Sequence, residues 1–251
     1  MNQRTLKRHK LIGELPAGST YLFDQPYAPD ADPRAGIASH QTLDLYLPPG
    51  PGPFPLIVWI HGGGWNGSDK DTDVAPRFLG SGFALASLDY RLIGSGAAFP
   101  AQIEDCFSAL VWLRENGTKY RLDIERIGVL GHSAGAHLAG LIATTGGTDQ
   151  FCKIASTRVQ AAVLWSAPLD LSRERGNWPS STFVWNPKDP FSTAFFPGGA
   201  YDEQFAQWAS PASYIRAGLL PILIVHGSED TIVPPGQALA FAEASRALGG
   251  K

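Results

Sequence analysis

Hydrophobic and polar residues change their period several times along this chain, and each change marks an element. Thr42 to Leu47 (TLDLYL) alternates polar and apolar residues, the pattern of a half-buried strand. A Pro- and Gly-rich turn over 48–55 follows. Leu56 to Ile60 (LIVWI) is then apolar throughout, as in a strand covered on both faces. Phe83–Leu88, Arg126–Leu130, Val159–Trp165 and Pro221–Val225 are further short apolar runs of the same kind. Between them the period lengthens. Ile103, Phe107, Leu110, Val111 and Leu113 stand close to helical spacing over Ala101–Arg114, and helices are also expected over 133–144 and 237–248. Strands alternating with helices predict an α/β fold whose central sheet is mostly parallel, with helices on both faces.

Two stretches lie outside this rhythm. Residues 1–40 read as an N-terminal extension. Residues 171–215 read as a lid-like insert in a single domain, rich in aromatics from Trp178 and Phe183 through Trp185, Phe191, Phe195, Phe196, Tyr201 and Phe205 to Trp208. Long irregular segments inside compact domains are often lids or binding loops. The insert is therefore either an aromatic wall over a substrate pocket or a packing cluster that covers the sheet.

Composition removes several function classes. With 44% hydrophobic and 17% charged residues in 251, the chain can bury a full core, which excludes global disorder. A net charge of −3 leaves no basic footprint for nucleic acid. No apolar run approaches the roughly 20 residues of a membrane span. The basic start MNQRTLKRHK is not followed by a signal-peptide core, because Leu11 and Ile12 give way to Gly13, Glu14 and Pro16, so a cytoplasmic location is expected. Cys106 and Cys152 are too few for a disulfide framework or a Cys-based metal site.

Three motifs carry chemistry. Gly131-His132-Ser133-Ala134-Gly135 matches G-x-S-x-G directly after one expected strand and before one expected helix, the context in which a sharp turn lifts a serine hydroxyl clear of a sheet. The helix N-terminus behind it favours a developing oxyanion. His61-Gly62-Gly63-Gly64-Trp65 follows the LIVWI run, and its consecutive glycines can aim backbone N–H groups at a carbonyl oxygen. No Lys-Ser/Thr pair follows, so it is not a phosphate-binding P-loop. His61 reads as a brace for this loop. His226-Gly227-Ser228-Glu229-Asp230 follows the PILIV run and offers a carboxylate to orient an imidazole. Asp230 is the leading acid, with Glu229 and Asp170 as competitors.

HGGGW, GHSAG and HGSED-x-x-VP, in this order, resemble the α/β-hydrolase superfamily. The resemblance is nearest to its esterase branches, the hormone-sensitive lipase group and the bacterial feruloyl/acetyl esterase group. Leu43–Pro48, Asp89-Tyr90-Arg91-Leu92 and Pro100–Asp105 resemble further segments of that group. The resemblance implies Ser133 as nucleophile and Asp230 as acid. It implies Gly63, Gly64 and Ala134 as oxyanion donors, Trp65 and His132 beside the substrate, no metal and no cofactor. It implies a small-molecule ester as the partner, with an arylformamidase or a serine peptidase of the same fold as alternatives, while the aromatic-rich insert suggests that the ester is short-acyl or aryl.

One feature departs from the pattern. All six histidines, at 9, 40, 61, 132, 137 and 226, precede Asp230, so the triad lacks its base. The expectation is a C-terminally truncated hydrolase fold without its last strand, histidine loop and last helix. The other reading is a catalytically silent binding protein. None of His132, His137 and His226 is expected to serve as the general base, with His137 turned into packing and His226 bracing its loop.

Overall fold

The computed structural model of the protein describes residues 14–28, 41–152, 157–172 and 194–250. Among these, seven strands form one sheet: β1 (Thr20–Pro26), β2 (Thr42–Leu47), β3 (Phe54–Ile60), β4 (Ala84–Leu88), β5 (Leu122–His132), β6 (Ala161–Trp165) and β7 (Ile222–Val225). They lie in the order β1-β2-β4-β3-β5-β6-β7. β2 runs antiparallel to both its neighbours, and every pair from β4 to β7 is parallel. The helices are α1 (Arg77–Gly80), α2 (Ala101–Glu115), α3 (Ala134–Thr145), α4 (Glu203–Trp208) and α5 (Pro235–Ala247).

The continuous apolar runs are explained by what covers them. Leu56, Val58 and Ile60 of β3 and Ile127 and Val129 of β5 pack against Ile103, Phe107 and Leu110 of α2 and Leu138, Leu141 and Ile142 of α3. All twelve residues of α3 are buried, so it is mostly apolar around its whole circumference, with His137, Thr144 and Thr145 the polar exceptions. On the reverse face Tyr46, Trp59 and Leu85 meet Val74 and Leu79, the latter from α1. That face is open over β6 and β7, where Trp165, Leu223 and Val225 are 44–60% exposed.

Two elements differ from the sequence pattern, each for a local reason. β1 lies inside the stretch read as an extension and is a full member of the sheet, paired with β2. Its register shifts between Leu22 and Gln25, where Asp24 adopts φ 52°, and this bulge erases the two-residue period. α4 lies inside the insert and is only six residues long. It forms because Asp202 caps it, its carboxylate accepting the Phe205 N–H at 2.6 Å. Trp178, Phe183, Trp185 and Phe191 lie outside the described residues. Among the described aromatics of the insert, Phe195 stacks on Phe99 at 5.1 Å, and Phe205 and Trp208 meet the same ring edge-on.

Candidate active site

Three strands end side by side at one edge of the sheet. His132, Trp165 and Val225 are register partners across β5, β6 and β7. The residues that follow them, Ser133, Ser166 and His226, therefore begin three adjacent loops.

Ser133 occupies a tight strand-to-helix turn at φ 53°, ψ −120°, a region that costs an L-residue on the order of 1–3 kcal/mol. The turn is held on both sides. The Ser133 N–H donates to Trp165 O at 2.8 Å, and its carbonyl accepts from His137 N–H at 3.0 Å. A Cβ at Gly131 would stand 2.3 Å from Gly135 O, and one at Gly135 would stand 2.1 Å from Ile60 O. The two glycines of the motif thus let the turn close on itself and on the end of β3. Ala134 opens α3, so its N–H belongs to the first turn, where no intrahelical acceptor exists.

The glycine loop leaves β3 beside this turn. A Cβ at Gly62 would stand 3.3 Å from Ser133 Cβ and 3.0 Å from His132 O, so loop and serine are in contact. Gly63 has φ 100°, Gly64 φ 61° and Trp65 φ 62°. Gly63 O accepts N–H bonds from Asn66 and Gly67, both at 3.1 Å. In a planar trans peptide the N–H points opposite to the C=O, so this small turn directs the Gly64 N–H outward.

Asp230 lies in the loop after β7. Its Oδ1 accepts the N–H groups of Ile232 and Val233, both at 2.9 Å. His226 Nε2 lies 3.3 Å from Asp230 Oδ2 and 3.0 Å from Val233 O, so His226 braces the loop. Burial by itself would raise the Asp230 carboxyl. The two N–H bonds, the neighbouring His226 and the Ser166 hydroxyl outweigh it and hold the group below its ordinary value, so it is a carboxylate at neutral pH. Ser166 was not legible as a site residue. It sits at φ 49° immediately after β6, and only the pairing of β6 with β7 brings it to Asp230. Of the competitors, Glu229 is exposed, and Asp170 binds the N–H and hydroxyl of Ser172 at 3.0 and 2.7 Å.

Trp65, which follows the glycine loop, is 3% exposed. An indole N–H needs an acceptor, and Trp65 Nε1 finds His137 Nδ1 at 3.2 Å, while the ring packs on Phe195 at 4.8 Å. The His132 ring rests 5.1 Å from Trp165. His137 has both nitrogens engaged, since Nε2 donates to Ala209 O at 2.7 Å. His9 and His40 lie outside the described residues. Among the described residues no imidazole is bonded to the Ser133 hydroxyl.

Burial pushes the His137 pKa down to about 4 from 6.5, against the opposing bond to Ala209. A depressed folded pKa means that the unfolded chain takes up the proton first. Stability is therefore full above pH 6.5 and falls as the pH approaches 4, by roughly 2–3 kcal/mol. Urea unfolding at pH 7.5 and 4.5 should show this loss, and His137→Gln should shrink it.

A buried ion cluster stands behind the loop. Lys70 Nζ lies 3.0 Å from Asp89 Oδ2, 2.9 Å from Asp24 Oδ1 and 4.0 Å from Asp44 Oδ1, and its N–H donates to Asp89 Oδ1 at 2.7 Å. Burial alone would pull the ammonium down. Asp89, Asp44 and Asp24 outweigh that and hold it above its ordinary value. The cluster ties the glycine loop to β1, β2 and the end of β4. Lys70→Met strands buried carboxylates and should cost about 3–5 kcal/mol, read from the urea midpoint at constant m-value.

The mostly parallel sheet, the serine turn after β5, the glycine loop after β3 and the acidic loop after β7 together define an α/β-hydrolase of the esterase class. The BD-FAE family model matches residues 43–244, and the chain belongs to that family of esterases. It is 29% identical to esterase LipQ of Mycobacterium tuberculosis over 90% of this chain and 53% of LipQ. It is also 29% identical to the probable carboxylic ester hydrolase LipM of the same organism, over 88% of this chain and 52% of LipM. It thus spans about half the length of these relatives. Among solved structures, a bifunctional GH43-CE protein of Bacteroides eggerthii superposes with a TM-score of 0.77 and 30% identity, covering 91% of this chain and 31% of that one. A truncated carbohydrate esterase from gut microbiota shares the fold at a TM-score of 0.78 and 24% identity, over 95% of this chain and 88% of that one. Among the described residues no helix is long and apolar enough to cross a membrane.

Proposed function

We propose that the protein hydrolyses carboxylic esters through an acyl-enzyme on Ser133. The observation that carries this reading is the contact between the serine turn and the glycine loop. Gly62 and Ser133 stand so close that a Cβ on the glycine would lie 3.3 Å from the Ser133 Cβ. A carbonyl carbon placed at the Ser133 hydroxyl then has its oxygen beside the N–H groups of Gly63, Gly64 and Ala134. As Ser133 Oγ bonds to that carbon, the C=O π pair moves onto the oxygen, and these donors stabilise the charge. The intermediate collapses by breaking the ester C–O bond, and the alcohol departs with the proton taken from Ser133. Water then attacks the acyl group and regenerates the hydroxyl.

The proton carrier in this reading is an imidazole from outside the described residues, oriented by the Asp230 carboxylate. Asp230 lies on the loop after β7, two strands from Ser133, a separation of roughly 10 Å along the sheet edge that one imidazole and its two hydrogen bonds largely fill. The substrates proposed are esters of small acyl or aryl groups. The kinship with LipM, a probable carboxylic ester hydrolase, supports carboxylic esters as the substrate class.

The test uses the full protein with p-nitrophenyl acetate and butyrate, and a fluorophosphonate probe with mass analysis of the modified peptide. Turnover with a single adduct on Ser133 is expected. Absence of both turnover and adduct would overturn the reading and favour a silent ligand-binding fold.

A further inference from the structure

The Asp89-Tyr90-Arg91-Leu92 segment follows β4, and two of its side chains have evident tasks. Asp89 belongs to the Lys70 cluster. Arg91 Nε bonds both Asp105 oxygens at 3.0 and 2.9 Å and ties the segment to α2. Tyr90 is left over. It is fully buried with 0% exposure, yet its hydroxyl is spent on the glycine loop. It donates to His61 O at 3.0 Å and stands 3.4 Å from Gly62 O. Its ring lies flat on the His61 imidazole, with centroids 4.4 Å apart and planes 11° apart. His61 Nδ1 in turn is 2.7 Å from Gly62 O. A carbonyl oxygen only accepts, so Nδ1 carries the proton.

We propose that Tyr90, with the His61 ring stacked on it, is a positioning residue that sets the direction of the Gly63 N–H. The Gly62–Gly63 peptide is planar and trans, so the N–H points away from whatever holds the carbonyl. Tyr90 and His61 hold that carbonyl, and the His61 carbonyl before it, on the side of β4. The Gly63 N–H is thereby turned to the opposite side, where Gly62 borders Ser133. The division of labour is clear from the bonds. The Gly64 donor is set by Asn66 and Gly67, whereas the Gly63 donor is set by the adjacent His61 ring and, from outside the loop, by Tyr90. Glycine has no side chain to resist a peptide flip, which is why an external clamp is needed there. Burial, with Asp89 and Cys106 adding to it, pushes the Tyr90 phenol well up, so it stays a proton donor at every working pH.

This inference rests on the reading of Gly63 as an oxyanion donor. It is tested with Tyr90→Phe, which keeps the ring, the stacking and the packing and removes one oxygen. The measurements are kcat and KM for p-nitrophenyl acetate, the inhibition constant of an arylboronic acid whose adduct on serine places an oxygen where the oxyanion forms, and the melting temperature. The expected result is a loss of about tenfold in kcat with KM within twofold, and an equal weakening of the boronic acid, because the donor is misdirected but not removed. A lowered melting temperature with kcat and boronic-acid inhibition within twofold of the unsubstituted protein would overturn the proposal and leave Tyr90 a packing residue. A rise in KM alone would also overturn it. If the unsubstituted protein shows neither Ser133-dependent turnover nor boronic-acid binding, the esterase reading itself fails, and the proposal with it.

Discussion

Ser133→Ala should lower kcat on p-nitrophenyl acetate by at least about 10³-fold and abolish the fluorophosphonate adduct, with the melting temperature within a few degrees of the parent. The substitution removes one oxygen. Neither bond that holds the turn uses it: the backbone N–H of residue 133 still donates to Trp165 O and its carbonyl still accepts from His137. The unfavourable φ of 53° is borne equally by serine and alanine, so the strain is unchanged. Glycine would be the misleading choice, because it relieves that strain and loosens the turn. The residual rate in the alanine variant should track the oxyanion donors, which a water molecule can still exploit. Retained turnover in Ser133→Ala would show that the esters are hydrolysed elsewhere, and the reading of this site would fall.

Much of this architecture is legible from the chain because the governing signals are local. A strand sandwiched between helices has to be apolar along its length, and LIVWI is. A serine lifted from a sheet needs small neighbours in a tight turn, and Gly131 and Gly135 meet the crossing backbone at distances no Cβ could tolerate. What was not legible depends on residues far apart in sequence. The indole of Trp65 follows the glycine loop directly, but the acceptor of its N–H is His137, 72 positions away. Lys70 looks like any loop lysine until Asp24 of β1, Asp44 of β2 and Asp89 just after β4 arrive beside it. Ser166 has no motif of its own. Its relation to Asp230 exists only because β6 and β7 end in register. β1 is hidden for a different reason, since a bulge at Asp24 breaks the alternation by which a strand is recognised.

The same distinction between local and distant contacts separates the glycines of the loop. Gly63→Ala should lower kcat by roughly 10²–10³-fold with little change in KM. At φ 100° an L-residue is strained whatever surrounds it, and a Cβ there would stand 2.3 Å from Gly67 O and 2.9 Å from Ser68 Cβ. The nearer of these is backbone, which no rotamer change can move. Relief requires opening the turn in which Asn66 and Gly67 donate to Gly63 O, and that turn is what directs the Gly64 N–H outward. The cost therefore falls on the charged transition state and spares the neutral ester. Gly62→Ala is the graded comparison. Its backbone has an ordinary φ, and its Cβ would meet His132 O at 3.0 Å and Ser133 Cβ at 3.3 Å, contacts that shifts of a few tenths of an ångström accommodate. A loss of about tenfold is expected there, through a small displacement of the loop from the nucleophile. Should Gly62→Ala prove the more damaging of the two, the loop would be acting as a spacer against the serine turn, and the assignment of Gly63 and Gly64 as the oxyanion donors would have to be abandoned.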